Sequence, residues 1–149
     1  MNKNHLLPDS AKGQSLVELA ISLMIILFLL AGAVEFGIAF FQFVQLRDAA
    51  QEGALYGSMN PPADAGDTTK INLIKDRVKA ASSSPIDLVN DPAVSIDVVV
   101  TGQYCEGGAL KVTVSYPHDV FMPLIDQVTG GTIQLNAEVT DTILQPVCP

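Results

Sequence analysis

Positive charge is scarce in this sequence, as are histidine and cysteine. The 149 residues include 8 Lys and Arg against 16 Asp and Glu, which gives a formal net charge of −8. Because nucleic-acid binding depends on Lys and Arg that neutralise phosphates, this balance argues against a nucleic-acid partner. It also argues against adhesion to anionic lipid headgroups, so membrane association must come from an apolar segment.

The sequence also lacks a recognisable arrangement of catalytic side chains. The one His–acid pair, His118-Asp119, has no nucleophile motif, metal-ligand cluster or phosphate-binding loop beside it. We therefore interpret His118 as structural, and we expect no enzymatic activity, no cofactor and no metal. Asp64 and Asp67 lie in a Pro- and Gly-rich loop, where two carboxylates without further calcium ligands indicate turn chemistry.

Proline is absent from Gly13 to Tyr56, and charge is absent from Leu19 to Val34. An unbroken helix over Gly13–Tyr56 would be about 66 Å long, whereas the hydrocarbon core of a bilayer requires only about 30 Å. The sequence therefore predicts a helix that crosses a membrane and continues beyond it as an amphipathic segment. Lys3 and Lys12 precede the span and favour a single-pass orientation with the N-terminus in the cytoplasm and the C-terminal domain outside.

Two carboxylates lie on this helix. Glu18 follows Gly13, whose missing side chain allows a protease to approach the backbone. A charge in an apolar run is costly unless it is paired, so Glu18 is either a functional charge or an interfacial residue that begins the helix. Glu35 lies about 25 Å further along and roughly 100° around the axis, which excludes a catalytic pair with Glu18. We expect Glu35 near the outer membrane boundary or against a partner helix, with a simple end-of-span residue as the alternative.

Beyond Glu35, aromatic and small residues recur at helical spacing. Phe36, Phe40 and Phe43 fall on one face of the helix. We expect this part of the helix to pack on the C-terminal domain, with a neighbouring subunit as the alternative. Small residues that permit close helix approach follow: Ala50, Gly53, Ala54 and Gly57.

The run GQSLVELAISLMIILFLLAGAVEFG, from Gly13 to Gly37, resembles the N-terminus of TadE-like pseudopilins, which are relatives of type IV pilins. The resemblance continues through RDAAQEGA, from Arg47 to Ala54. Leu19 departs from the aromatic residue that pilins of this group often carry after the glutamate.

This resemblance implies a structural subunit of a type IV-like (Tad) pilus, held in the cytoplasmic membrane before polymerisation or built into an extracellular pilus. It implies cleavage by a membrane-embedded prepilin peptidase after Gly13, which leaves Gln14 as the mature N-terminus. It also implies that Glu18 pairs with the free N-terminus of a neighbouring subunit. The implied partners are pilin or pseudopilin subunits, identical or different, that associate through the N-terminal helix.

The remainder of the chain predicts an α+β fold. The expected divisions are a leader at residues 1–13, the long helix at 14–57 and an exported α+β domain at 58–149. A second, short helix begins at Asp67 or Thr68 and runs to about Ser82. Period-two alternation then predicts a small, pilin-like antiparallel sheet of three strands, at residues 94–101, 110–116 and 133–140.

The two cysteines flank this sheet. Cys105 lies in the turn between the first two strands, and Cys148 follows the third. In an antiparallel meander the third strand runs back toward that turn, so we predict a Cys105–Cys148 disulfide, with two buried free thiols as the alternative. Closing this loop would stabilise the fold by about 4 kcal/mol in the chain-entropy account.

Two other functions fit parts of the same sequence. Ala31-Gly32-Ala33 matches the small-residue pattern of a signal-peptidase site, and cleavage after Ala33 would release a soluble binding domain. A bitopic membrane scaffold that keeps its leader is the third hypothesis.

Overall fold

A computed structural model describes residues 10–122, 126, 130–145 and 148 of the chain. The three strands form one antiparallel sheet in the order β1-β2-β3, which confirms the α+β prediction. Most of the predicted leader, residues 1–13, lies outside the described residues, as does Lys3 with its orientation signal. The elements in chain order are α1 (Ser10–Met59), α2 (Thr68–Ala80), β1 (Ser95–Thr101), β2 (Ala109–Asp119) and β3 (Thr132–Thr142).

Helix α1 is a single unbroken helix of 50 residues. It continues two residues beyond the predicted end at Gly57, and it stops where Pro61 disfavours helical backbone in the preceding residue. The backbone N–H of Asn60 still donates to the Tyr56 carbonyl over 3.0 Å, which closes the last turn. At 1.5 Å per residue, α1 is about 75 Å long.

The loop after α1 uses its two aspartates as caps. Asp67 Oδ1 accepts from the backbone N–H of Lys70 and its Oδ2 from that of Ala63, both over 3.1 Å. These donors, Ala63 first, lower the pKa of Asp67 because they favour the carboxylate. The stabilisation is therefore present at neutral pH and is lost as the pH falls through the lowered pKa. Asp64 Oδ1 accepts from Gly66 N–H over 2.7 Å, which supports turn chemistry for both residues.

The core lies between one face of the sheet and two helices. Residues of even number on β2 face inward, and Val114 pairs with Ile96 of β1 and Ala137 of β3. The second half of α1 crosses this face and contributes buried side chains, so the long helix and the α+β part share one core. Its fully buried apolar residues include Leu46, Ala49, Ala50, Ala54, Ile74, Val78, Leu110, Val112 and Val114.

The aromatic residues of α1 divide between two environments. Phe43 packs against the core, as predicted. The expectation of packing on the C-terminal domain is wrong for Phe36 and Phe40, which are 70% and 56% exposed. Their rings stack on each other with centroids 6.1 Å apart. They lie on a face of α1 roughly 100° or more around the axis from Glu35, whose side chain contacts β2.

Strand β2 extends beyond its predicted end at Tyr116. Pro117 pairs with Gln134 and His118 with Ile133 of β3, so His118 belongs to a strand rather than to a connector. β1 pairs only as far as Ser95 opposite Ser115. Beyond that point β2 has an open edge, where the missing N–H of proline disrupts no ladder.

A disulfide joins Cys105 to Cys148, whose Cα atoms are 4.9 Å apart. The meander brings the two residues together as the topology predicts. Backbone contacts support the same turn, since Glu106 N–H donates to the Gln145 carbonyl over 2.7 Å. The disulfide therefore fixes the chain after β3 onto the β1–β2 turn.

We predict that Gly53→Ala lowers the free energy of unfolding by about 1–3 kcal/mol, the usual cost of overpacking a core. A methyl group there would overlap the side chain of Val78, which is buried and β-branched. Gly37→Ala is the matched control, because the space around that α1 glycine is open. It should be neutral or stabilising by up to about 1 kcal/mol. Denaturation in detergent measures both, and equal effects would contradict the close α1–α2 packing.

Candidate functional site

The N-terminal part of α1 contacts almost nothing else in the described chain. Every residue from Gly13 to Ala31 is exposed, and Glu35 is the first buried residue along the helix. Over Gly13–Val34 the helix rises about 33 Å, close to the thickness of a hydrocarbon core. The most apolar window of α1 has a mean hydropathy of 2.6 and no buried residue. By length and composition, this segment is able to span a membrane.

The predicted processing residues lie at the start of this exposed segment. Gly13 has no other atom within 4 Å of the position a Cβ would take. One turn further on, the side-chain Nε2 of Gln14 donates to Glu18 Oε1 over 3.2 Å, and both side chains are exposed. Gly13, Gln14 and Glu18 therefore form one accessible group, with the Glu18 carboxylate open to a second molecule. Their roles in cleavage and assembly remain predictions.

Glu35 lies apart from that group and contacts the sheet domain. Its Oε1 accepts from His118 Nε2 over 2.9 Å, and His118 Nδ1 lies 2.7 Å from Gln42 Oε1. The backbone N–H of Phe121 donates to both carboxylate oxygens of Glu35, over 3.2 and 3.3 Å. We call this group of Glu35, Gln42, His118 and the Phe121 N–H the Glu35 clasp. It joins α1 to the end of β2 at the level where the exposed apolar segment stops.

Burial makes the clasp sensitive to any loss of a partner. His118 is 1% exposed and Glu35 is 8% exposed, so each depends on the other for its hydrogen bonds. Both ring nitrogens of His118 face oxygen atoms. Which nitrogen donates depends on the tautomer, and the Gln42 amide is able to offer Nδ1 either its oxygen or its NH₂. The clasp therefore couples the tautomer of His118 to the orientation of the Gln42 amide.

A tyrosine lies next to the clasp on the same face of β2. Burial raises the pKa of Tyr116, and the nearby carboxylates of Asp91 and Asp119 raise it further. Both causes disfavour the phenolate, so Tyr116 stays neutral and packs against the core through its ring. The surroundings of the clasp are thus acidic on their solvent side.

Glu35 was predicted near the outer membrane boundary or against a partner helix, and that prediction stays open. The residue does lie where the exposed apolar segment ends, and its carboxylate is occupied by His118 of the same chain. A role in assembly remains a prediction. His118 was interpreted as structural, and the clasp was missed. The alternation of β2 could have located His118. Continued through Pro117, the inward-facing even positions place His118 on the core face of the strand.

Among residues 10–122, 126, 130–145 and 148, no three His, Cys, Asp or Glu side chains converge in a way that could hold a metal ion. Asp64 and Asp67 accept from backbone N–H groups instead.

Comparison with known proteins finds a family match that lies within α1. The family described as TadE-like protein matches residues 13–55. This range begins at Gly13, includes Glu18 and Glu35, and ends where α1 is packed in the core. No curated protein matches the chain, and no solved structure does so either.

We predict that a double-mutant cycle with Glu35→Ala and His118→Ala gives a coupling energy of about 0.5–3 kcal/mol in the free energy of unfolding. The matched control is the exposed Lys111–Glu138 pair, with Nζ and Oε2 3.3 Å apart. The same cycle with Lys111→Ala and Glu138→Ala should give a coupling energy of about 0.2–1 kcal/mol. Denaturation in detergent provides all the values, and a clasp coupling no larger than the control would show that burial does not strengthen it.

Proposed function

We propose that this chain is a TadE-like minor structural subunit of the Tad pilus system, held in the cytoplasmic membrane by α1. The match of residues 13–55 to the TadE-like family supports this proposal. The observation that carries the proposal is the exposed apolar segment Gly13–Val34, which lies wholly inside the matched range. A face this long and apolar requires lipid or the helices of other subunits around it.

The first step in this proposal is cleavage between Gly13 and Gln14 by a prepilin peptidase. The open surroundings of Gly13 support it, because a protease can reach the backbone there. Cleavage creates an ammonium group on Gln14. Glu18 of a neighbouring subunit then pairs with this ammonium, since two opposite charges in a poorly hydrated region are far less costly together than apart.

The second part of the proposal is orientation, with the start of α1 in the cytoplasm and the sheet domain outside. The Cys105–Cys148 disulfide supports it. Disulfides persist in exported domains and are rare in the reducing cytosol. The domain then stands on the membrane surface, above the level of Glu35.

The third part is polymerisation through α1. Subunits exchange lipid for the equivalent apolar helices of pilin or pseudopilin partners, of the same or another kind. Phe36, Phe40 and Phe41 extend the available surface beyond the membrane, because all three are more than half exposed.

Two rival functions differ in where the chain is cut. A secreted binding domain requires signal-peptidase cleavage after Ala33, which would remove nearly all of the exposed segment and leave Glu35 near the new N-terminus. A bitopic scaffold requires no cut at all. The position of the mature N-terminus therefore separates the three functions.

We predict that membranes of cells with a prepilin peptidase contain a mature chain that begins at Gln14. Gly13→Leu should leave the precursor uncut, because a bulky side chain blocks approach to the backbone. N-terminal sequencing and the gel mobility of the membrane-bound chain measure both outcomes.

The matched control is Ala33→Leu, which removes the small residue that a signal peptidase requires and should leave processing at Gln14 unchanged. A mature chain that begins at Val34 and is lost in Ala33→Leu would establish the secreted domain instead. A wild-type chain uncut in the presence of the peptidase would favour the scaffold.

A further inference from the structure

The segment that follows β2 presents two apolar side chains beside the exposed part of α1. Phe121 is 74% exposed. The sulfur of Met122 lies 4.0 Å from where a Cβ on Gly32 would be. We call Phe121 and Met122 the β2 tip. An open groove of about 530 Å³ lies between the tip and one face of α1, lined on the helix side by Leu27, Leu30, Ala31, Val34, Glu35 and Ile38.

The β2 tip therefore lies beside a part of α1 that comes before Glu35. Leu27 is about 12 Å from Glu35 along the helix axis. If Gly13–Val34 spans the bilayer, residues 27–34 lie in the outer leaflet, and the tip lies beside them. The apolar surface of the span continues onto the tip, and this continuity identifies lipid as its neighbour.

Backbone polar groups usually exclude a loop from a bilayer, because each unsatisfied N–H costs several kcal/mol there. The cost is avoided at Phe121 and at the residue before it. The N–H of Val120 donates to the Gly131 carbonyl over 2.9 Å, and that of Phe121 donates to the Glu35 carboxylate. The Glu35 carboxylate thus supplies a hydrogen-bond acceptor for the backbone N–H of Phe121.

Charge decides which part of the lipid is contacted. Asp119 and Asp126 on either side of the tip are exposed, and the whole chain carries a net charge of −8. Anionic headgroups would be repelled rather than bound. Aromatic side chains are enriched at the boundary between headgroups and acyl chains, which matches an exposed Phe121.

We propose that the β2 tip enters the outer leaflet beside α1, with Phe121 and Met122 against the acyl chains, as a second membrane contact of this chain. The proposal rests on the proposed function, because α1 must span the membrane for the tip to reach lipid. The contact sets the height and rotation of the sheet domain on the bilayer, and it must be released when the subunit leaves the membrane.

We predict that tryptophan at position 121 is quenched by lipid. The chain contains no Trp, so the full-length variant Phe121→Trp in phosphatidylcholine vesicles reports from a single site. With acyl chains brominated near the headgroup, its emission should fall and should fall less when bromine lies near the chain end. Two reference variants serve as the positive and the negative control for quenching by lipid. Phe28→Trp lies within the span, and Leu144→Trp replaces a side chain that is 62% exposed beside Ser58, about 35 Å beyond Glu35.

Phe28→Trp should be quenched most strongly by chain-end bromine. Phe121→Trp should be quenched most strongly by bromine near the headgroup. Leu144→Trp should show little or no quenching by either lipid. Quenching of Phe121→Trp no greater than that of Leu144→Trp, with Phe28→Trp still quenched, would overturn the tip proposal and leave the span intact. A blue-shifted Phe121→Trp emission that bromine does not quench and that reverts on dilution into excess lipid would assign the tip to a second copy and overturn the lipid contact. Absence of quenching in Phe28→Trp would overturn the membrane span itself.

Discussion

Helix α1 must suit an apolar surrounding outside the protein over its first half and a packed protein core over its second half. The rest of the structure depends on how it does so. Every backbone polar group of α1 between its ends is paired within the helix, which allows the exposed segment to be placed in lipid without further partners. The same helix beyond Glu35 supplies small side chains to a protein core. A break between the two parts would uncouple the domain from the membrane, and an unbroken α1 of 50 residues makes that coupling rigid.

The Glu35 clasp lies at the change from one surrounding to the other. A buried group of hydrogen-bonded polar side chains adds little net stability, but each member left without its partner is costly. Here it fixes β2 against one level and one face of α1, while the small residues further along allow α2 and the sheet to approach closely. The disulfide acts at the opposite end of the sheet, so the domain is held to the helix at both ends.

The sequence predicted the elements well because their signals are local. Absence of proline defined α1, Asp67 marked the start of α2, and period-two alternation located three strands and the meander that joins Cys105 to Cys148. The clasp was not predictable in the same way, since Glu35 and His118 are 83 positions apart and only the sheet register brings them together. The prediction for Phe36 and Phe40 is wrong because helical spacing shows which residues share a face but not which face of the helix the sheet contacts.

Residues 13–34 supply no buried side chain to the core, so the remainder of α1 and the sheet should fold without them. The most direct measurement compares the thermal unfolding of the full chain with that of a chain beginning at Val34, both in the same detergent. The two chains should unfold at the same temperature, because Gly13–Ala31 contributes no buried residue to the core. A clearly lower temperature for the shorter chain would contradict it and would show that the exposed segment is part of the folded domain.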